Sequence, residues 1–527
     1  MKRIFSSKEE TPGVIAGLLA ILLLHFVLLL PTYPENIVPP AFLYLPIELP
    51  VLILLFAVPL GRLARLRRWL LALALTIFTV IKLANIATFL GFNRPFNPIV
   101  DPALIVIAVE TLGKTSTELM IGAVAGAVIL ILIVALLFFG AARAIPARRI
   151  AMLVIGALLL VAAIGARLTP YSPYVVSEAT TFANEQVGNV GRSLAAAEQF
   201  KRDVAADPFR NIPDERLLTR LKGADVLLIL VEAYGRTAFT ADGPLAQLRE
   251  SEAALRTAGY NMRSAWLVSP TFGGASWLAH GTFVTGLWIE DHQRYNNLFV
   301  SAHKTLIHDF SRAGWRTAAV MPLFTRPWPE GSFFGFDSIY TANNLGYAGP
   351  PFGYITMPDQ YVLSAFHARE MSAPDRKPVM VEMALNSSHL PWTPRPHFLP
   401  WESVGDGKVF ATARDGEDVD MDWLAPQKMR GQYELAIAYA IKTVFSYAET
   451  QIKTPALVII VGDHQPVSLV AGSSASHEVP IHILARDPSL LESFTGWADG
   501  LIPTAQSPSW KMDAMRGHIL KAFSAEP

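Results

Sequence analysis

The feature that most constrains this chain is where its apolar residues fall. Nearly all long apolar runs lie in the first ~170 of 527 residues, and the remainder reads as ordinary globular sequence. Five runs, at about 14–30, 41–60, 69–91, 118–139 and 150–167, have the roughly 17–25 residues needed to cross a ~30 Å hydrocarbon core. Lys2, Arg3 and Lys8 before the first run suggest a signal peptide. No small-x-small cleavage site follows and four more runs do, so the first run is expected to stay as a membrane helix.

Basic residues orient such a bundle. Three precede the first run, four (Arg62, Arg65, Arg67, Arg68) separate the second from the third, and three (Arg143, Arg148, Arg149) separate the fourth from the fifth. The alternate loops carry only Arg94 and Lys114. Ten against two predicts a cytoplasmic N-terminus, and an odd number of spans places everything after residue 168 outside. Within the runs, Lys82 either snorkels to the outer interface or binds a headgroup; Asn85 and Glu48 are the other intramembrane polar groups. The proline-bearing loop 92–117, with the apolar stretch Ala103–Val109, reads as an interfacial or re-entrant helix.

Composition narrows the rest. With 44 basic and 44 acidic residues there is no bulk attraction to nucleic acid, and no nucleic-acid-binding pattern is present. Zero Cys removes disulfides, thiolate metal sites and a cysteine nucleophile. The segment 168–222, with an amphipathic helix over 179–204, reads as a linker. From 223 onward apolar strands (224–231, 264–268, 316–321, 379–384, 456–461, 481–484) alternate with helices (244–257, 304–313, 360–370, 429–450). This is the pattern of an α/β domain with a mainly parallel sheet covered on both faces, spanning 223–527. Ligands in such sheets bind beyond the carboxyl ends of the strands.

Four strand ends carry polar groups: Glu232; Ser269-Pro270-Thr271-Phe272-Gly273-Gly274; Asn386-Ser387-Ser388-His389; and Asp463-His464. Carboxylate, imidazole and hydroxyl donors together suit zinc or manganese. Thr271 is the first choice of nucleophile, beside two glycines and at an expected helix start whose N–H groups would favour a phosphoryl group. Ser276 is the rival, expected a turn or more inside that helix.

Five spans followed by an α/β domain bearing Glu232, Thr271 and Gly462-Asp463-His464 in that order resemble the membrane-anchored alkaline phosphatase superfamily, whose domains are called sulfatase-like. The nearest branches are lipoteichoic acid synthases and lipid A phosphoethanolamine transferases. The resemblance covers the architecture of the whole chain, with motifs over about 223–485. It implies a divalent metal held by Glu232, Thr271, Asp463 and His464, a phosphorylated Thr271, His389 near the phosphoryl group and His477 as the late histidine. It also implies a phosphoethanolamine or phosphoglycerol headgroup taken from a membrane phospholipid and passed to an envelope glycan or lipid hydroxyl, with the domain outside a bacterial cytoplasmic membrane. An ester hydrolase and a non-catalytic envelope sensor are the alternatives. No Cys-x-Pro-x-Arg motif is present, which argues against formylglycine chemistry, and the sequence around Thr271 departs from both branches.

Overall fold

The computed structural model describes residues 11–61, 63–115, 117–147, 149–170, 172–416 and 425–525. Lys2, Arg3, Lys8, Arg62 and Arg148 of the charge count lie outside them. The chain divides into two compact units, one within Met1–Leu90 and Arg94–Ala195, the other Gly91–Asn93 with Ala196–Pro527.

The first unit is helical: α1 (Thr11–Leu29), α2 (Glu48–Ala57), α3 (Leu63–Phe92), α4 (Pro102–Thr115), α5 (Thr117–Ala147) and α6 (Arg149–Arg167). Among the described residues three helices are long and apolar enough to cross a membrane, within α3, α5 and α6, and two are apolar but shorter. The expected second span at 41–60 is only partly α-helical. Its helix holds ten residues, a rise of about 15 Å. Pro39, Pro40 and Pro46 keep 39–46 out of the helix, because proline has no N–H to give and clashes with the preceding turn. The loop helix is present as α4.

Lys82 has partners within the bundle. It is buried, and its Nζ donates to the carbonyls of Leu28 (3.2 Å) and Leu30 (2.6 Å), which the end of α1 leaves unpaired. Asn85, one turn along α3, donates to the Thr32 carbonyl (2.9 Å) and accepts from the Phe96 N–H (3.0 Å). Glu48 accepts from the Thr180 N–H (2.8 Å), at the first turn of α7 (Glu178–Ala205).

The segment expected as a free linker is shared between the units. Ala179 and Phe182 are buried in the first, whereas Phe200, Leu217, Leu218 and Leu221 are core residues of the second. Asp207 belongs to the second unit through Arg516, whose guanidinium bonds both Asp207 (3.0 and 3.1 Å) and Asp309 (3.0 and 3.2 Å). Burial pushes the Asp309 carboxyl up to about 6 despite this cation. Replacing Arg516 with alanine takes the shared guanidinium from two buried carboxylates. Urea unfolding of the protein should show a loss of about 3–5 kcal/mol; an unchanged midpoint would mean that water serves these carboxylates equally well.

The second unit is built on one sheet, nine-stranded among the described residues. Its strands are β1 (Asp225–Val231), β2 (Asn261–Val268), β3 (Arg316–Met321), β4 (Ser338–Thr341), β5 (Val379–Leu385), β6 (Ala456–Gly462), β7 (Glu478–Ala485), β8 (Ala498–Asp499) and β9 (Ser509–Lys511). The order is β8-β2-β7-β6-β1-β5-β3-β4, with β9 also on β2. β4, β3, β5, β1 and β6 are parallel neighbours; β7 runs antiparallel to both β6 and β2. β2 consequently points the same way as β1 and β6. The continuous apolar runs have the expected cause. Leu227, Ile229 and Val231 enter one core and Val226, Leu228 and Leu230 the other, since alternate side chains leave opposite faces. Helices α8 (Asp242–Thr257), α10 (Asp359–Phe366) and α11 (Pro426–Thr450) cover the first face; α9 (Ser276–Thr285) and α12 (Ala514–Phe523) cover the second.

Candidate active site

This topology brings the carboxyl ends of β1, β2, β5 and β6 to one edge, together with the start of β7. Glu232 leaves β1 and Asp463 leaves β6 side by side, since Val231 and Gly462 are paired in register. Gly462 is required there: a Cβ would sit 1.8 Å from the Tyr234 carbonyl oxygen. The close approach lets Asp463 Oδ1 accept the N–H groups of Ala233 (2.8 Å) and His464 (2.6 Å), which leaves Oδ2 for another partner. His464 Nδ1 lies 2.7 Å from the Gln465 carbonyl oxygen. As donor to that oxygen it presents an unprotonated Nε2 when the ring is neutral.

Glu232, Asp463 and His464 each have a ligating atom within 4.8 Å of the others, and they are 5%, 1% and 1% exposed. His464 Nε2 is 3.3 Å from Glu232 and 3.6 Å from Asp463 Oδ2. Burial and the neighbouring Glu232 push Asp463 up to about 7, although His464 pulls the other way. Burial disfavours the His464 cation, but the two carboxylates outweigh it and raise that group to about 9. Burial likewise opposes ionisation of Glu232, yet His389 and His464 hold its carboxyl below the usual range. Two buried carboxylates and an imidazole aimed at one point form a donor set that fits a divalent cation, with the second ligand atoms of Asp463 and His464 held by the backbone.

The hydroxyl that joins this group is Ser276. Its Oγ is 2.9 Å from Glu232 Oε2 and 3.1 Å from His464 Nε2. Thr271, expected as ligand and nucleophile, bonds elsewhere: its Oγ1 is 3.4 Å from Ser269 Oγ, and its N–H donates to that oxygen. What separates the two hydroxyls is where α9 begins. Gly273, Gly274 and Ala275 all have positive φ (70°, 155° and 63°), which a right-handed helix excludes. The helix therefore starts at Ser276, and Ser276 holds the first helical position instead of lying a turn inside.

His389 leaves β5 as expected and stacks on Tyr354, with ring centroids 4.3 Å apart. Its loop is held from both sides: Asp359 Oδ1 accepts the N–H groups of Asn386 (2.7 Å) and Ser387 (2.9 Å), and Ser388 Oγ donates to the Glu232 carbonyl (2.6 Å). His477 precedes β7, where it packs on Phe272 and lies 3.3 Å from the Ser269 carbonyl; burial lowers its proton affinity. Sequence reading missed one pair. His280 Nδ1 is 2.8 Å from Glu382 Oε1, a carboxylate in the middle of β5. Two signals were available: the Ser276-x-x-x-His280 spacing on one helix, and a lone Glu inside the apolar run Val379–Leu385.

Residues 225–482 match the family model "Sulfatase". They form a sulfatase-like domain. No curated protein matches the chain. Among solved structures the chain is similar to the integral membrane protein lipooligosaccharide phosphoethanolamine transferase A of Neisseria meningitidis, at 14% identity over 96% of this chain and 95% of that one, TM-score 0.49. It is also similar to the lipoteichoic acid synthase of Listeria monocytogenes, at 12% over 54% and 71%, TM-score 0.37. A third is the Streptococcus pyogenes phosphoglycerol transferase in complex with sn-glycerol-1-phosphate, at 13% over 62% and 91%, TM-score 0.35.

Proposed function

We propose that the protein is a membrane-anchored phosphotransferase that moves a phosphoryl-linked headgroup, of the phosphoethanolamine or phosphoglycerol type, from a membrane phospholipid to an envelope glycan or lipid hydroxyl. The observation that carries this reading is the contact of Ser276 Oγ with both Glu232 and His464 at the first residue of α9. Glu232, Asp463 and His464 would hold a divalent cation, zinc or manganese by donor type. When bound, it would make the Ser276 hydroxyl more acidic and offset charge on the phosphoryl oxygens.

Ser276, in place of Thr271, attacks phosphorus and releases diacylglycerol. The N–H groups of the first turn of α9 favour the anionic headgroup now on Ser276. His389, beside Glu232, and His477, across Phe272, are the candidates for binding phosphoryl oxygens. An acceptor hydroxyl then displaces Ser276. Helices able to cross a membrane on the same chain suit a donor that lives in the bilayer.

The test is to incubate the full-length protein in micelles of phosphatidylethanolamine and phosphatidylglycerol and map the adduct by peptide mass. A headgroup mass on Ser276 with release of diacylglycerol is expected. Release of free headgroup that added glycan acceptors do not reduce would make it a hydrolase.

The charge bias further predicts that residues 168–527 lie outside the cytoplasm. A C-terminal alkaline phosphatase fusion should be active, and a C-terminal green fluorescent protein fusion dark. The opposite pattern would mean that the 41–60 segment does not cross.

A further inference from the structure

Glu382 is an expensive residue to keep. It sits in the middle of β5 with Leu228 and Ala319 as its register partners, and it is 2% exposed. Met380, two residues earlier, faces the same apolar core as Leu278, Ala279 and Phe283 of α9. An ionised carboxylate in such a place is strongly destabilising unless paired. Its partner is His280, itself mostly buried.

The bond from Nδ1–H to the carboxylate fixes the ring orientation and leaves Nε2 as the working nitrogen. Among the described residues Nε2 takes no hydrogen bond. His280 follows Ser276 by four residues on α9, so the two share a face. Side chains on a helix slant toward its N-terminus, and this leans the imidazole back over the turn that carries Ser276.

We infer that His280, oriented by Glu382, donates the proton to the oxygen that leaves phosphorus. The inference rests on Ser276 as nucleophile, entering as its alkoxide. As the Oγ–P bond forms and the P–O bond to the lipid glycerol breaks, the Nε2 proton passes to that glycerol oxygen. Neutral diacylglycerol departs and the imidazole is left neutral. In the second displacement the acceptor hydroxyl gives its proton to Nε2 while its oxygen bonds phosphorus and the P–Oγ bond breaks, which restores the starting state. Glu382 acts through His280 and is a positioning residue.

The test compares two leaving groups with the full-length enzyme. Phospholipid micelles present an alcohol that needs a proton to leave; bis(4-nitrophenyl) phosphate presents a phenolate that does not. In single turnover, His280→Gln should slow diacylglycerol release from the lipid by about 10²–10⁴-fold and nitrophenolate release from the aryl ester by less than about tenfold. Glu382→Gln should show the same selectivity at smaller size, and it supplies the ratio if His280→Gln is not recovered folded. Equal losses on both substrates, or no loss on the lipid, would overturn the assignment. Ser276→Ala loses both substrates alike, so failure of the nucleophile reading is told apart: it would appear as turnover retained in that variant.

Discussion

Ser276→Ala should lower headgroup transfer by about four to six orders of magnitude, the scale seen when a covalent enzyme loses its nucleophile. The substitution removes one oxygen and leaves Glu232, Asp463 and His464 in place, so cation content should be unchanged. Intact mass after incubation with phospholipid should show the headgroup adduct on the wild type and none on the variant. Thr271→Ala should keep both adduct and turnover within about tenfold, because its hydroxyl lies against Ser269, outside the cluster. If Thr271→Ala is the dead variant and Ser276→Ala the active one, the hydroxyl has been misassigned. If both stay active, no serine or threonine intermediate forms here.

Asp463→Asn is the second large effect. Asp463 uses one oxygen to accept two backbone N–H groups and turns the other toward His464 Nε2, 3.6 Å away. Asparagine keeps the first function through its carbonyl oxygen. It replaces the second with an NH₂ group, which cannot ligate a metal. The sheet edge should therefore survive while the cation is lost. Metal content by mass spectrometry should drop below a tenth of the wild-type value, and turnover by about three orders of magnitude or more. Stability offers an independent readout. A ligand present at 100 to 1,000 times its Kd stabilises the folded state by about 2.7–4.1 kcal/mol, so a chelator should lower the melting temperature of the wild type and leave that of Asp463→Asn unmoved. Full occupancy in the variant would exclude Asp463 as a ligand.

Much of the catalytic unit was legible in the sequence, for a physical reason. Strands buried on both faces need unbroken apolar runs, and six such runs stood out. Parallel strands put their carboxyl ends on one edge, so Glu232, Asp463 and His464 could be grouped before any coordinates. The hydroxyl was harder to choose. It depended on where α9 starts, and that was set by three successive left-handed residues, of which Ala275 gives no sign in its side chain. Each member of the His280–Glu382 pair left a signal, but their pairing was not legible, because they are 102 residues apart and meet only through sheet order. The membrane half was legible as apolar length. It was not legible in how the chain satisfies its own carbonyls, which is where Lys82 is used.

The burial of Glu382 has a consequence for related chains. Position 280 cannot drift alone: an apolar residue there would leave a carboxylate with no partner in an oily interior, and a neutral residue at 382 would leave the imidazole free to turn. The two positions should therefore change together. Where one becomes uncharged its counterpart should follow, and an exchange that puts the acid on the helix and the base on the strand would preserve the pair. Such linked substitution would mark the pair as a unit of inheritance, even though its halves lie on separate parts of the sequence.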